Sequence, residues 1–429
     1  MVISCLYAAW LHGWSSAVKG VGLGQAVMFS GAAWWVLTRR MPASAFGIIL
    51  AVAILCRVPF VLTPPRFSSD VYRYVWDGRV QAAGINPYRH IPADAALAGL
   101  RDASIYPNIN RRDYAHSIYP PAAQAIFLAL TRVGESIPWM KAAMVGFEAI
   151  TVWLLAVLLK EFGLPRERVL LYAWNPLVIW QFAGDGHVDA AAIALVAAAL
   201  FAHARRRDVL TGIALGAATL VKLYPGILFP ALYRRWSWQL PAAMAATIVA
   251  GYLPYAGAGI GVLGFLPGYL NEEGLLSGEG FLLLTSLRRM GATIPTAVYA
   301  AAAAGALLMV GYARSQSGMR TALADVRRCL AVAAAFILLL SPHYPWYYAW
   351  LVALLCFARR AAVLSAVTCA CALFVAMAAY GAVFTVPDEK LDFNIPLLVP
   401  LAILVLYDRF GAARAHEPEG GSTWGRAAG

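Results

Sequence analysis

A chain of 429 residues that is 61% hydrophobic and only 13% charged carries too little polar surface to dissolve as an ordinary globular protein. Its mean hydropathy of +0.66, laid out as apolar runs of about 15 to 25 residues ending in arginine clusters, specifies a multi-pass helical membrane protein. The net charge of +12 does not point to nucleic acid, because the arginines stand in short clusters between apolar segments (Arg39-Arg40, Arg205-Arg206-Arg207, Arg234-Arg235, Arg327-Arg328, Arg359-Arg360), as cytoplasmic loops do.

In chain order, apolar stretches predict spanning or partly spanning helices at 3–18, 21–38, 43–63, 120–134, 138–159, 169–183, 187–203, 208–233, 237–256, 292–313, 329–341, 345–358, 361–384 and 395–408. They give an all-α polytopic bundle of about 11 to 14 transmembrane helices. The start lacks a basic n-region and a clear cleavage site, so the first apolar stretch is expected to stay attached. All six cysteines (Cys5, Cys56, Cys329, Cys356, Cys369, Cys371) fall in or beside apolar segments without metal-type spacing and read as small core residues.

With the arginine clusters inside, segments 64–118, 184–189, 257–291, 341–345 and 385–394 lie on the opposite face. That orientation leaves room for a single full crossing between 119 and 159. Either 120–134 is interfacial or re-entrant, or the basic stretch 160–168 breaks the charge rule. Likewise 208–233 must be a hairpin of short helices around Lys222. The polar, Gly-rich tail 411–429 reads as a disordered cytoplasmic extension of a single membrane domain, 1–410.

The first long outer loop, 64–118, opens with SDVYRYVWDG. Ser68 or Ser69 caps a helix that runs to about Ala83 and stops at Gly84 and Asn86-Pro87. Asp70, Tyr74, Asp77 and Gln81 share one face; Tyr72, Trp76, Val80 and Ala83 share the other, which predicts a helix on the membrane surface with its aromatic side at the headgroups. An ionisable group at the membrane boundary carries a desolvation cost, which marks Asp70 as functional, the alternative being a helix cap. Arg73 and Asp77, four residues apart, read either as a surface ion pair or as substrate contacts.

In AGDGHVDAA (183–191), the alternatives are a tight turn with Asp185 or Gly186 capping the next helix, or His187 and Asp189 facing a cavity shared with Asp70. Lys222 in TLVKLYPGILFP costs roughly 2.5–3.5 kcal/mol to insert unless it is paired or snorkels. Tyr224-Pro225 breaks the helix beside it, and a phosphate partner would account for its charge. Within the second outer loop, 257–291, the stretch 271–289 carries acidic residues and Arg288-Arg289 that either grip an acceptor or charge a surface loop. SPHYPWYYAW (341–350) stacks His343 and Tyr344 with further aromatics, as an aromatic belt or a substrate cage. There is no P-loop, GxSxG, HExxH or Asp-x-Asp pair, which argues against soluble nucleotide-sugar chemistry.

SSDVYRYVWDGRVQAAGINPY (68–88), SIYPPAAQ (117–124), WNPLVIWQFAGDGHVDA (174–190), VKLYPGILFP (221–230) and SPHYPWYYAW (341–350) together resemble the bacterial GT-C membrane glycosyltransferases, in particular the polyprenyl-phosphate-mannose-dependent mannosyltransferases. The resemblance covers most of 43–410. Two departures are one or two extra apolar segments ahead of 43–63 and the lack of an acidic doublet in the first loop. It implies a GT-C-like bundle with extracytoplasmic loop helices, and a catalytic base at the Asp that follows a membrane helix, here Asp70. It also implies a polyprenyl-phosphate sugar donor, an inverting displacement, no cofactor, and no strict need for a metal, so that no metal ligands are named. The expected function is transfer of a sugar, mannose above others, to a glycolipid or glycan acceptor at the extracytoplasmic face of the bacterial plasma membrane. Beside Asp70, the candidate substrate contacts are Arg73, Asp77, Asn86, Tyr119, His187, Asp189, Lys222, Tyr224, His343 and Tyr344. A transporter or flippase of a lipid-linked sugar is the alternative, though no repeat symmetry supports it. A membrane O-acyltransferase is a third, opposed by the outside placement of His187 and His343.

Overall fold

The computed structural model describes residues 15–234, 236–313, 321–342 and 344–358, and among them every regular element is helical. The expected helices 361–384 and 395–408, the loop 385–394, the tail, His343 and most of 3–18 lie outside the described residues. Helix α1 spans Ser15–Thr38 and α2 spans Ala45–Leu62. On α2 the buried positions Ile49, Ala53, Cys56 and Phe60 recur at helical spacing, while Ile48, Ile54, Leu55, Val58 and Leu62 face outward. An apolar side chain on that outer face costs nothing in lipid, which is how a bilayer-embedded helix differs from a soluble one.

Helix α3, Asp70–Ala82, is joined to α2 by residues 63–69, which start from an extended Thr63. Its aromatic side, Tyr72, Trp76, Val80 and Ala83, was expected at the headgroups; instead Trp76 and Val80 are buried inside protein, as are Val71, Tyr74 and Val75 on its other faces. The cause is the rest of the loop, which folds back so that Leu97, Ile105 and Ile109 join the core and Tyr106 packs on Trp76 at 5.6 Å between ring centroids. The other flank of α3 lies against α4, Pro121–Thr131. Gly78 permits that approach, since a Cβ there would strike Thr131 Oγ1 and the Phe127 carbonyl.

The 11 residues of α4 rise about 16 Å, half the hydrocarbon thickness of a bilayer. This length fits the interfacial or re-entrant reading of 120–134. Helix α5, Ile137–Glu161, is long enough to span. The single helix expected at 169–183 is broken into Arg166–Val169, Leu170–Ala173, Pro176–Val178 and a π-helical turn Ile179–Gly184. Asn175-Pro176 is the reason: the residue before a proline is driven out of the helical region, and Asn175 uses its side chain to cap Leu177 N–H at 3.0 Å.

Helix α6, Asp189–Ala204, and α7, Asp208–Val221, form a hairpin. Helix α7 then packs along α8, Gln239–Tyr252, through Gly212 and Gly216 one turn apart; side chains there would collide with the Leu240 and Met244 carbonyls. The hairpin expected in 208–233 is present: α7 ends, Lys222 is extended, and short helices Tyr224–Leu228 and Phe229–Leu232 follow. Beyond α8 the chain runs through a 3-10 stretch, Leu253–Leu263, into α9, Leu266–Glu272, and α10, Leu282–Arg289. Helices α11, Thr296–Tyr312, and α12, Ala322–Leu340, precede Pro345–Tyr348 and α13, Ala349–Leu355. Helix α12 begins earlier than hydropathy indicated, because Thr321 caps the Ala324 N–H and draws Asp325, Arg327 and Arg328 into the first turns.

Among the described residues, Ala45–Leu62, Ile137–Glu161 and the kinked run Gln239–Glu272 are long and apolar enough to cross a membrane; α4, α6, α7, α11 and Pro345–Leu355 are shorter apolar helices. Cys56, Cys329 and Cys356 are buried, as small core residues.

One ion pair ties three of these elements together. Arg57 of α2 meets Glu148 of α5 at 2.5 Å, and its Nη1 donates to the carbonyls of Ala53 and of Ala173 at 2.8 Å. Removing one charge leaves the other buried, so Glu148→Leu alone is expected to cost about 3–5 kcal/mol, whereas Arg57→Met/Glu148→Leu recovers most of that loss. Detergent-phase thermal unfolding of the single and double variants measures it; equal losses in both would show that the pair contributes through packing alone.

Candidate active site

Where α3 begins, the loops 64–118 and 257–291 and the Lys222 break enclose a cavity of about 620 Å³. Phe67 to Asp70, Arg73, Asn110, Arg111, His116 and Tyr119 form one side. Lys222, Tyr224 and the aromatic run Tyr344, Trp346 and Tyr347 form another. Phe265, Tyr269 and Glu273, in and beside α9, line a further side.

Asp70 is the first residue of α3, and its backbone N–H donates to Ser68 Oγ at 3.2 Å. The helix dipole favours a carboxylate at this end. Its Oδ1 accepts from Asn110 Nδ2 at 2.6 Å, and its Oδ2 lies 3.8 Å from His187 Nδ1. The side chain remains 15% exposed, toward the cavity.

His187 and Asp189 were expected to face the cavity, and both lie one layer behind its wall. The His187 ring is fully buried and stacks on Trp346 at 4.0 Å, which stacks in turn on Tyr344 at 4.5 Å. Burial drives the His187 pKa down to about 3, outweighing the attraction of Asp70, so the imidazole is neutral at pH 7. Asp189, at the start of α6, is buried with Oδ2 3.4 Å from Lys222 Nζ, and its Oδ1 accepts from the Tyr224 hydroxyl at 3.2 Å. Lys222 does not snorkel to a headgroup. Its ammonium is 13% exposed, facing the cavity, and sits 5.3 and 5.6 Å from the rings of Tyr119 and Tyr347.

Arg73 lines the cavity, but its guanidinium is engaged: Nε binds Asp77 at 2.7 Å and Nη1 donates to the Ala115 carbonyl. Asp77 is buried away from the cavity, where it also accepts from Ser117 Oγ and from Gln124 Nε2. The pair expected at the surface is thus an internal clamp that holds 115–117 against α3. Asn86 stands outside the cavity wall as well; it accepts from the Tyr88 N–H and donates to the Tyr255 carbonyl at 3.3 Å.

Three contacts escaped sequence reasoning. Asp185, which the turn reading made a cap for the following helix, reaches the other way: its Oδ1 accepts from the N–H groups of Arg66 and Phe67, just ahead of Asp70, at 2.8 and 3.0 Å. Its own burial, only partly offset by these bonds, pushes its carboxyl up to about 7. Asn110 holds Asp70. Arg111 adopts a left-handed backbone, φ 52°, at a cost of about 1–3 kcal/mol for a residue with a Cβ.

Side chains from the second outer loop hold that conformation. Arg111 Nε binds Glu272 at 2.7 Å, Tyr114 donates to the same carboxylate at 3.0 Å, and Tyr344 donates to Glu273 at 2.8 Å. Gly264, φ 53°, packs directly on the Ser117 carbonyl, where any Cβ would collide. Glu272 therefore bridges the two loops, while Glu273 ties the second one to Tyr344. No motif flags NINRRDY, which has neither helical nor strand period. Among the described residues, no group of three or more His, Cys, Asp or Glu is arranged to hold a metal.

The chain is similar to known proteins over the part that builds most of this site. A family model described as alpha-(1->6)-mannopyranosyltransferase, N-terminal domain, matches residues 3–238, more than half of the chain, and so includes Asp70, Asn110, His187, Asp189 and Lys222. Alpha-(1->6)-mannopyranosyltransferase A of Mycobacterium tuberculosis is 24% identical over 409 residues, covering 84% of this chain and 76% of the relative. No solved structure matches.

Proposed function

The chain belongs to the alpha-(1->6)-mannopyranosyltransferase family, and from that premise we propose that it moves a mannosyl group from a polyprenyl-phosphate donor to a glycolipid or glycan acceptor. The reaction takes place at the extracytoplasmic face of the bacterial plasma membrane, within one glycosyltransferase domain formed by residues 1–410. The observation that carries this reading is a single cavity lined by a carboxylate at a helix start, by a lysine, and by an apolar wall of Ile227, Leu266, Leu270, Phe336 and Leu340.

In the proposed step, the acceptor hydroxyl oxygen attacks the anomeric carbon from the face opposite the phosphate. Its proton passes to Asp70, the bond from the anomeric carbon to the phosphate oxygen breaks, and the electron pair leaves with the polyprenyl phosphate. Positioned base catalysis contributes typically about 10²- to 10⁴-fold. Lys222 stabilises the charge that develops on the leaving phosphate. His187 does not share that cationic role, because its buried ring is neutral; Arg73 is committed to Asp77 and acts by positioning. The apolar wall receives the first isoprene units of the donor. The transport alternative has no observation of its own beside family membership in a transferase group.

The test is donor choice. Purified protein in lipid nanodiscs, with EDTA present, is offered mannose either on a short-chain polyprenyl phosphate or on a nucleoside diphosphate, together with a panel of glycolipid acceptors. Transfer from the lipid-linked donor alone is the expected result; direct use of the nucleotide-linked sugar would remove the donor assignment.

A further inference from the structure

We propose that Asn110 is a positioning residue that selects which oxygen of Asp70 takes the proton, and that Arg111 and Glu272 hold it in place from the second outer loop. The proposal rests on the reading of Asp70 as the base.

A carboxylate at the wall of a wide cavity is free to rotate about its terminal bond, which spreads its lone pairs over orientations that do not meet the acceptor. Here one oxygen is fixed: Asn110 Nδ2 donates to Oδ1 at 2.6 Å, across 40 residues of sequence. Oδ2 is left without a hydrogen bond, because the His187 Nδ1 beside it is 3.8 Å away, too far for one, so its lone pairs stay unclaimed. An amide suits this task because it donates without adding charge beside the base. Asn110 and Asp70 both line the cavity.

The backbone beside Asn110 shows that its placement is built. Arg111 is left-handed at φ 52° although it is not glycine, and its Nε is bound by Glu272 at 2.7 Å. On the other side of the same stretch, Arg73 holds the Ala115 carbonyl at 3.1 Å. Residues 110–115 are therefore held at both ends, by α3 and by α9, with the amide of Asn110 directed at the base. The second loop reaches the chemistry through this contact.

The experiment measures steady-state kinetics of the full-length protein in nanodiscs for Asn110→Ala, Asn110→Leu, Asp70→Asn and Asp70→Asn/Asn110→Ala. Loss of orientation is expected to lower kcat about 10- to 100-fold in Asn110→Ala, with donor KM within about two-fold of wild type and the unfolding midpoint unchanged. Asn110→Leu, which keeps most of the side-chain bulk and removes the donor without adding a charge beside Asp70, is expected to show the same split even if Asn110→Ala folds poorly. Because Asn110 acts through Asp70, the double variant is expected to be no slower than Asp70→Asn alone. Wild-type kcat in Asn110→Leu, or a further fall in the double variant, would overturn the proposal while leaving the base intact. Full activity of Asp70→Asn would instead overturn the reading on which it rests.

Discussion

Asp70→Asn is expected to insert and fold like wild type and to transfer mannose about 10²- to 10⁴-fold more slowly. The fold is insensitive because the amide can still accept from Asn110 through its own oxygen, and no ion pair depends on Asp70 alone: the imidazole beside it is neutral. What is lost in structure is the attraction between a carboxylate and the helix N-terminus, about 0.3–1 kcal/mol. Chemistry loses the only thing an amide cannot supply, a lone pair that takes a proton as the acceptor oxygen attacks. Asp70→Glu is a useful companion, because it keeps the charge and moves it by one methylene away from the Asn110 contact. Initial transfer rates beside detergent-phase unfolding curves make the measurement. An Asp70→Asn rate within about threefold of wild type would transfer the search to Glu273, the other carboxylate on the cavity wall among the described residues.

Much of this arrangement was legible from residue type and spacing. Apolar runs located α2, α5, α6 and α7, and the cost of a lysine in an apolar segment singled out Lys222, whose pairing with Asp189 and exposure to the cavity then follow from Tyr224-Pro225 breaking the helix. What stayed hidden depends on contacts between distant parts of the chain. The surroundings of α3 could not be inferred from its own faces, because Tyr106 and Ile109 cover it from a loop without periodicity.

His187 and Asp185 illustrate the same limit within five residues. Both were recognised as unusual in GDGHVD, but what each does is decided elsewhere: Trp346 stacks on His187, and the backbone of Arg66 and Phe67 occupies Asp185. The charged clamp Arg73–Asp77 was legible as an i,i+4 pair; that it is buried was not, since Ser117 and Gln124 enclose it from α4 and the loop before it.

Lys222 offers the sharpest separation of structure from chemistry. Lys222→Met is expected to lower transfer by about 10²- to 10³-fold through loss of charge stabilisation at the leaving phosphate. It is also expected to destabilise the protein by about 3–5 kcal/mol, because Asp189, wholly buried 3.4 Å away, is left without its cation. Those two losses have different remedies. In Lys222→Met/Asp189→Asn the buried charge is gone, and Tyr224 can still donate to the amide oxygen where it now donates to Oδ1. Stability should therefore return while transfer does not, and the unfolding midpoint and the rate should part company in one protein. Lys222→Arg keeps the charge but replaces a compact ammonium, held between Tyr119 and Tyr347, with a planar fork, so its rate should lie between those of wild type and Lys222→Met. If the double variant instead regains transfer together with stability, Lys222 is only the counter-ion of Asp189, and its role at the leaving phosphate is overturned.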